Sequence, residues 1–308
     1  MRSPRGLIPA ALFALTLSLP LLAQEVAVPP LMEFLGRAPI AVRARCDGPD
    51  AEFRFSLLET LKGEPGARAF QLKVHEANLS HNPDDADVEI EPGVEYLLFL
   101  KPLRKAGADG LPVFALFSTT RGAIALHGPE GTALALTAKA LAALNQTPVE
   151  AREPAICERF LALARGVSQL TLAQGFELIE LARVIDRFAM GTAVMAGPLL
   201  ALSGHAPPPL AAAILRVLTQ IAGDLRLGAH DLGLLTELAL RDSLAPEIPL
   251  RTQAVATLRL LPDPRAGARL EIMGSDDPDQ AIRLAAQSAI LDRSQGRVPA
   301  WALSVKVE

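Results

Sequence analysis

Residues Pro249–Arg293 read PLRTQAVATLRLLPDPRAGARLEIMGSDDPDQAIRLAAQSAILDR, and the two halves echo each other 32 positions apart. Arg251 matches Arg283, Ala254 matches Ala286, and Leu258 matches Ile290. Each match sits in a 3.6-residue pattern, and the second helix follows Asp277-Pro278 after a Gly/Ser/Asp turn. Paired helices repeating at such a period predict an α-solenoid. A closed bundle is the competing arrangement, because short loops make successive helices antiparallel neighbours in both. The echo is clear only over these last two units; earlier ones are degenerate. Asp277 is expected to cap the last helix, with Pro278 in its first position and Gln280 reaching back.

The pattern D-P-x-x-x-[IV]-R-x-x-A-x-x-A-[IL], here Asp277 to Ile290, resembles a HEAT-type repeat. The resemblance implies a surface that binds partners. It also implies that Arg251 and Arg283 bond loop carboxylates or carbonyls of an adjacent unit, with a partner-facing arginine ladder as the alternative. Trp301, the single tryptophan, is expected to cap the last repeat or else to anchor a partner.

Upstream, the same period predicts helices over 132–145, 153–164, 171–189, 192–202, 210–221, 231–240, 247–260 and 263–273. The stretch 132–145 reads as a bridge between domains. The stretch 192–202 is nearly all apolar and is expected to be the most buried helix, and Asp231 is a plausible cap.

Between residues 40 and 126 the period is two. IAVRARC, Glu52–Leu61, FQLKV, EYLLFL, Val113–Phe117 and Ala123–Leu126 predict about six strands, punctuated by Gly and Pro. The continuous apolar run in EYLLFL suggests a strand covered on both faces. Short strands with such punctuation favour a small barrel or sandwich. The pieces APIAVRARCDG, FRFSLLETLKG and PGVEYLLFLK resemble the netrin/TIMP-like variety of OB barrel in order and spacing. Family members that inhibit metalloproteases present a free N-terminal cysteine to the zinc. This chain has neither that cysteine, since its expected mature start is Gln24, nor the multi-cysteine framework, so the resemblance implies a barrel and not the activity.

The expected fold class is thus α+β in two domains, a small OB-like barrel at 24–130 followed by an α-α solenoid of HEAT-like repeats at 131–300. Residues 1–23 carry Arg2 and Arg5, then the apolar run Leu7–Leu22, then Ala23, and read as a signal peptide. A short transmembrane anchor is the competing reading, against which the run is shorter than the ~20 residues that span a bilayer. Export makes the two cysteines, Cys46 and Cys157, a disulfide candidate between the domains, against two buried thiols as the alternative.

The chain is half hydrophobic, 21% charged and of formal net charge -4, with no basic concentration that would suit nucleic acid. The most polar stretch, HEANLSHNPDDADVEIEPG, holds His75, His81, Asp84 and Asp85 as weak candidates for a divalent cation. Leu79 stands where H-E-x-x-H needs its second histidine, and the glycine and terminal glutamate of an EF-hand loop are missing. No G-x-S-x-G, C-x-x-C, Walker or G-x-G-x-x-G motif is present. The resulting expectation is a periplasmic or secreted, non-catalytic scaffold without cofactor. Its partner would be another protein of the cell envelope, with no nucleic acid and no membrane span after signal cleavage. The alternatives are a metal-dependent hydrolase using the His75–Glu89 loop, or a metalloprotease inhibitor.

Overall fold

Alternation along the first strand sets the barrel. In β1 (Ile40–Gly48) the residues Ile40, Val42, Ala44 and Cys46 point into one core, while Arg43 and Arg45 point out. A computed structural model describes residues 30–48, 53–73, 90–107, 110–118, 122–224 and 227–298. Chain contacts divide it into two compact units between Arg152 and Glu153.

In the first unit a short helix α1 (Leu31–Arg37) precedes β1. Then come β2 (Phe53–Lys62), β3 (Ala69–Leu72), β4 (Glu95–Ala106), β5 (Pro112–Leu116) and β6 (Ala123–Leu126). The sheet order is β1-β2-β3-β5-β4-β6, and β1 also pairs with β4, so five strands close into a barrel. Pairing is antiparallel except between β3 and β5, where Gln71 and Leu72 lie parallel to Val113 and Phe114. One edge of β4 is taken by β1. The other is shared end to end, by β6 over Glu95–Leu98 and by β5 from Leu100 onward. That division explains why β4 runs past the expected Leu100.

The run EYLLFL is buried on both faces. Tyr96, Leu98 and Leu100 face the barrel core, whereas Leu97 and Phe99 are buried on the other side. There the ring of Phe34 from α1 meets Phe99 at 5.6 Å between centroids. Helix α2 (Gly128–Asn145) belongs to this unit and packs on α1, β2 and β6. The expected division at residue 130 therefore falls 22 residues short of the observed one at Arg152.

Gly63 closes the turn after β2 with φ of 71°, and a Cβ there would stand 2.5 Å from the carbonyl oxygen of Pro39. Both the left-handed backbone and the backbone contact oppose a side chain. Gly63→Ala is expected to cost about 2 kcal/mol or more. Urea unfolding checks this, and an unchanged midpoint would refute it.

The second unit is helical: α3 (Val149–Arg165, crossing the division), α4 (Leu172–Arg187), α5 (Ala193–Ser203), α6 (Pro208–Asp224), α7 (Ala229–Asp242), α8 (Ile248–Leu260), α9 (Pro264–Asp276) and α10 (Gln280–Ser294). Helices pack on their next-but-one neighbours. In one row α4 meets α6, α6 meets α8, and α8 meets α10; in the other α5 meets α7 and α7 meets α9. Among the described residues no helix is long and apolar enough to cross a membrane.

Three local expectations are corrected. Helix α5 is not the most buried, since only Met195, Ala196, Leu199 and Ser203 are covered and Val194 is 85% exposed. That role falls to α6, held between α4, α8 and α5. Asp231 is inside α7, whose cap position is Gly228. The cap of α10 is Asp279, whose carboxylate accepts from the N–H groups of Ala281 and Ile282; Asp277 is engaged elsewhere. The strongest cap in this unit is Thr171, which forms a full capping box with Gln174 in T-L-A-Q.

Candidate functional site

Each helix of the second row keeps one stripe in solvent. It runs through Val194, Pro198 and Ala201 on α5, Leu234, Glu237 and Arg241 on α7, and Arg265, Ala268 and Ile272 on α9. Spacings of three, four and seven place each set on one side of its helix. The opposite sides, Met195 and Leu199, Leu235 and Leu238, Ala266 and Leu270, are buried against neighbouring helices. Because α5 packs on α7 and α7 on α9, the stripes are adjacent ridges.

One large apolar side chain stands out on each ridge: Val194, Leu234 at 45% and Ile272 at 50% exposed. Charges separate them in fixed positions. Arg265 bridges α9 to α7, with Nη1 at 2.8 Å from Glu237 Oε1 and Nη2 at 2.8 Å from Asp263 Oδ2. Hydrogen bonds donated to Asp263 and then to Glu237 push the guanidinium further up from its usual value, and Arg265 in turn lowers the Asp263 carboxyl. At the end of α7, Arg241 Nη2 lies 2.7 Å from Asp242 Oδ1. Burial raises the Asp242 carboxyl while Arg241 opposes the shift, and among the described residues its buried Oδ2 has no hydrogen-bond partner. Apolar ridges with ordered charge pairs between them suit contact with another folded surface more than a small reactant. Sequence reading missed this set because an exposed stripe reads as an ordinary solvated helix face.

The two repeat arginines have different partners. Arg251 Nε and Nη2 donate to Asp277 Oδ2 at 3.1 Å and Oδ1 at 3.3 Å, a two-pronged bond to the loop one unit ahead. Its Nη1 donates to the carbonyls of Ala245 and Pro246 at 2.9 and 2.7 Å. Arg251 is 8% exposed and Asp277 equally so. Arg283, half-buried, donates among the described residues only to the carbonyl of Asp277. Neither arginine belongs to the exposed ridges.

Both cysteines are free thiols. Cys46 lies in the barrel core, and burial pushes its thiol up. Cys157, on α3, points toward the carbonyl of Met190 at 3.4 Å, and burial raises it also. His75, His81, Asp84 and Asp85, the whole loop up to Glu89, residues 1–23 and Trp301 lie outside the described residues. Among the described residues, no group of three or more His, Cys, Asp or Glu gathers to hold a metal ion. No family model matches the chain, and it finds no match among curated proteins or solved structures.

Proposed function

We propose that this chain is an exported, non-catalytic scaffold that binds another protein of the cell envelope across the ridges of α5, α7 and α9. The observation that carries the reading is the two-row packing, which covers one side of every second-row helix and leaves the other side open. Packing on next-but-one neighbours is compatible with a HEAT-like solenoid, whose repeats build extended binding surfaces. The strand order, with β3 and β5 parallel and β1 closing on β4, is compatible with an OB-type barrel. The apolar stretch at 7–22 supports export, and with it an envelope partner.

The test is a pull-down from envelope extract with the full chain. A stoichiometric partner is expected, and its recovery should fall at least about tenfold when Leu234→Glu and Ile272→Glu are combined. Both positions are exposed, so the helical circular dichroism should not change. Arg54→Glu, on an exposed position of the barrel, should leave recovery intact. Full retention by the double variant would remove the ridges from the interface.

A further inference from the structure

A cavity of about 250 Å³ opens in the first unit. Its walls are the end of α1 (Leu35, Gly36), the end of β2 (Lys62), the last turn of α2 (Ala142, Asn145, Gln146) and Arg152. Two of these side chains are cations.

Lys62 Nζ donates to the carbonyl of Gly36 at 2.6 Å. Arg152 Nη2 donates to the carbonyls of Asn145 and Thr147 at 2.8 and 3.1 Å, and Nε to that of Thr147 at 3.3 Å. Those bonds satisfy carbonyls that α2 leaves open at its C-terminal end. They do not use up the donors. An ammonium has three N–H groups and a guanidinium five, so Lys62 keeps two and Arg152 keeps both N–H groups of Nη1.

The electrostatics are one-sided. Among the described residues every partner of Lys62 and Arg152 is a backbone carbonyl, and no carboxylate pairs with either. Burial lowers the Lys62 ammonium below its usual value, and the charge of Arg152 lowers it further. Elsewhere in this unit cations find carboxylates: Arg43 meets Glu95, and Lys139 meets Glu59, each at 2.6 Å. Two like charges facing one cavity, in a chain of net charge -4, lack the counter-charge that such a pair recruits.

The geometry points to a binding site for a small oxyanion, phosphate or carboxylate, held between Lys62 and Arg152. Size limits the ligand. The cavity equals roughly eight water volumes and falls below the ~300 Å³ at which drug-sized pockets begin. It takes a free phosphate or a short dicarboxylate, not a nucleotide. Spare donors on Nζ and Nη1 supply charge-assisted hydrogen bonds, and the apolar stems of Leu35 and Ala142 line the remainder. This site is independent of the α5–α7–α9 ridges.

The experiment is calorimetric titration of the full chain with sodium phosphate and, separately, sodium succinate, against sodium chloride at matched ionic strength. Saturable binding of at least one anion is expected. Lys62→Met should weaken it about tenfold, the loss of one charge-assisted partner. Arg152→Gln should do the same; because Arg152 also holds the end of α2, the broadening of the free-phosphate ³¹P line by the unaltered chain, expected to vanish in Lys62→Met, gives a readout independent of that role. Restored binding in Lys62→Arg would confirm that charge at this position is what matters. Chloride-like behaviour of both anions overturns the assignment, as does undiminished binding in Lys62→Met. Sedimentation with phosphatidylglycerol vesicles without saturable binding of free anion also overturns it.

Discussion

Phe55→Ala is expected to cost the barrel about 3–5 kcal/mol, the usual loss when a fully buried aromatic side chain is truncated. Phe55 is 0% exposed. Its ring stacks on Phe70 at 5.6 Å with 9° between planes, and meets the edge of Tyr96 at 6.0 Å and 82°. Phe70 in turn sits edge-on to Phe114 at 5.4 Å. The four rings come from β2, β3, β4 and β5, so one cluster joins four of the five barrel strands. Such pairs contribute about 0.5–1.5 kcal/mol beyond the area they bury. The cluster cannot easily collapse into the space left, because Tyr96 is fixed by its hydroxyl accepting from the N–H of Glu91 at 2.7 Å. Near-ultraviolet circular dichroism of the only tyrosine, followed through a urea titration, reads the loss. A shift worth under about 1 kcal/mol would mean that the cluster is not the barrel's centre of stability.

Arg251→Met is expected to cost the helical unit about 3–5 kcal/mol, by stranding a buried carboxylate. Asp277 has a side chain only 4% exposed, and Arg251 is its cation. Removing the arginine leaves that charge without a counter-charge and the carbonyls of Ala245 and Pro246 without their donor. Asp277→Asn placed on top of Arg251→Met should recover part of the loss, because it takes away the stranded charge. Arg283→Met should cost much less, since Arg283 is half-buried and among the described residues bonds only a carbonyl. Thermal unfolding followed at helical wavelengths ranks the variants. Equal losses for Arg251→Met and Arg283→Met would contradict the distinction between them.

Much of the architecture is legible from periodicity, and the failures have physical causes. Ala123–Leu126 and the helix over 248–260 fall where alternation and the 3.6-residue pattern place them. The cap of α10 does not. Asp277 and Asp279 both precede the helix, and the repeat resemblance that sends Arg251 to a loop carboxylate does not say which of the two it holds. An all-apolar helix such as α5 has no polar side to mark its open face, so composition overstated its burial. The exposed ridges and the pair of Lys62 and Arg152 have no motif at all; ninety positions separate those two cations, and only the packing of α1, β2 and α2 brings them to one cavity.

The way the barrel closes has a kinetic side. Its defining pairs join residues far apart in the chain, Ile40 with Leu100 and Gln71 with Val113. Each must be brought together against the entropy of the intervening loop, a cost met before any ladder forms. The helical unit instead gains contact from helices one or two steps along. A chain emerging from its N-terminus therefore cannot complete β1 until β4 has followed, and the barrel should form over about milliseconds to seconds while the helices assemble faster. When the complete chain refolds from denaturant, the N-terminal unit should therefore finish last.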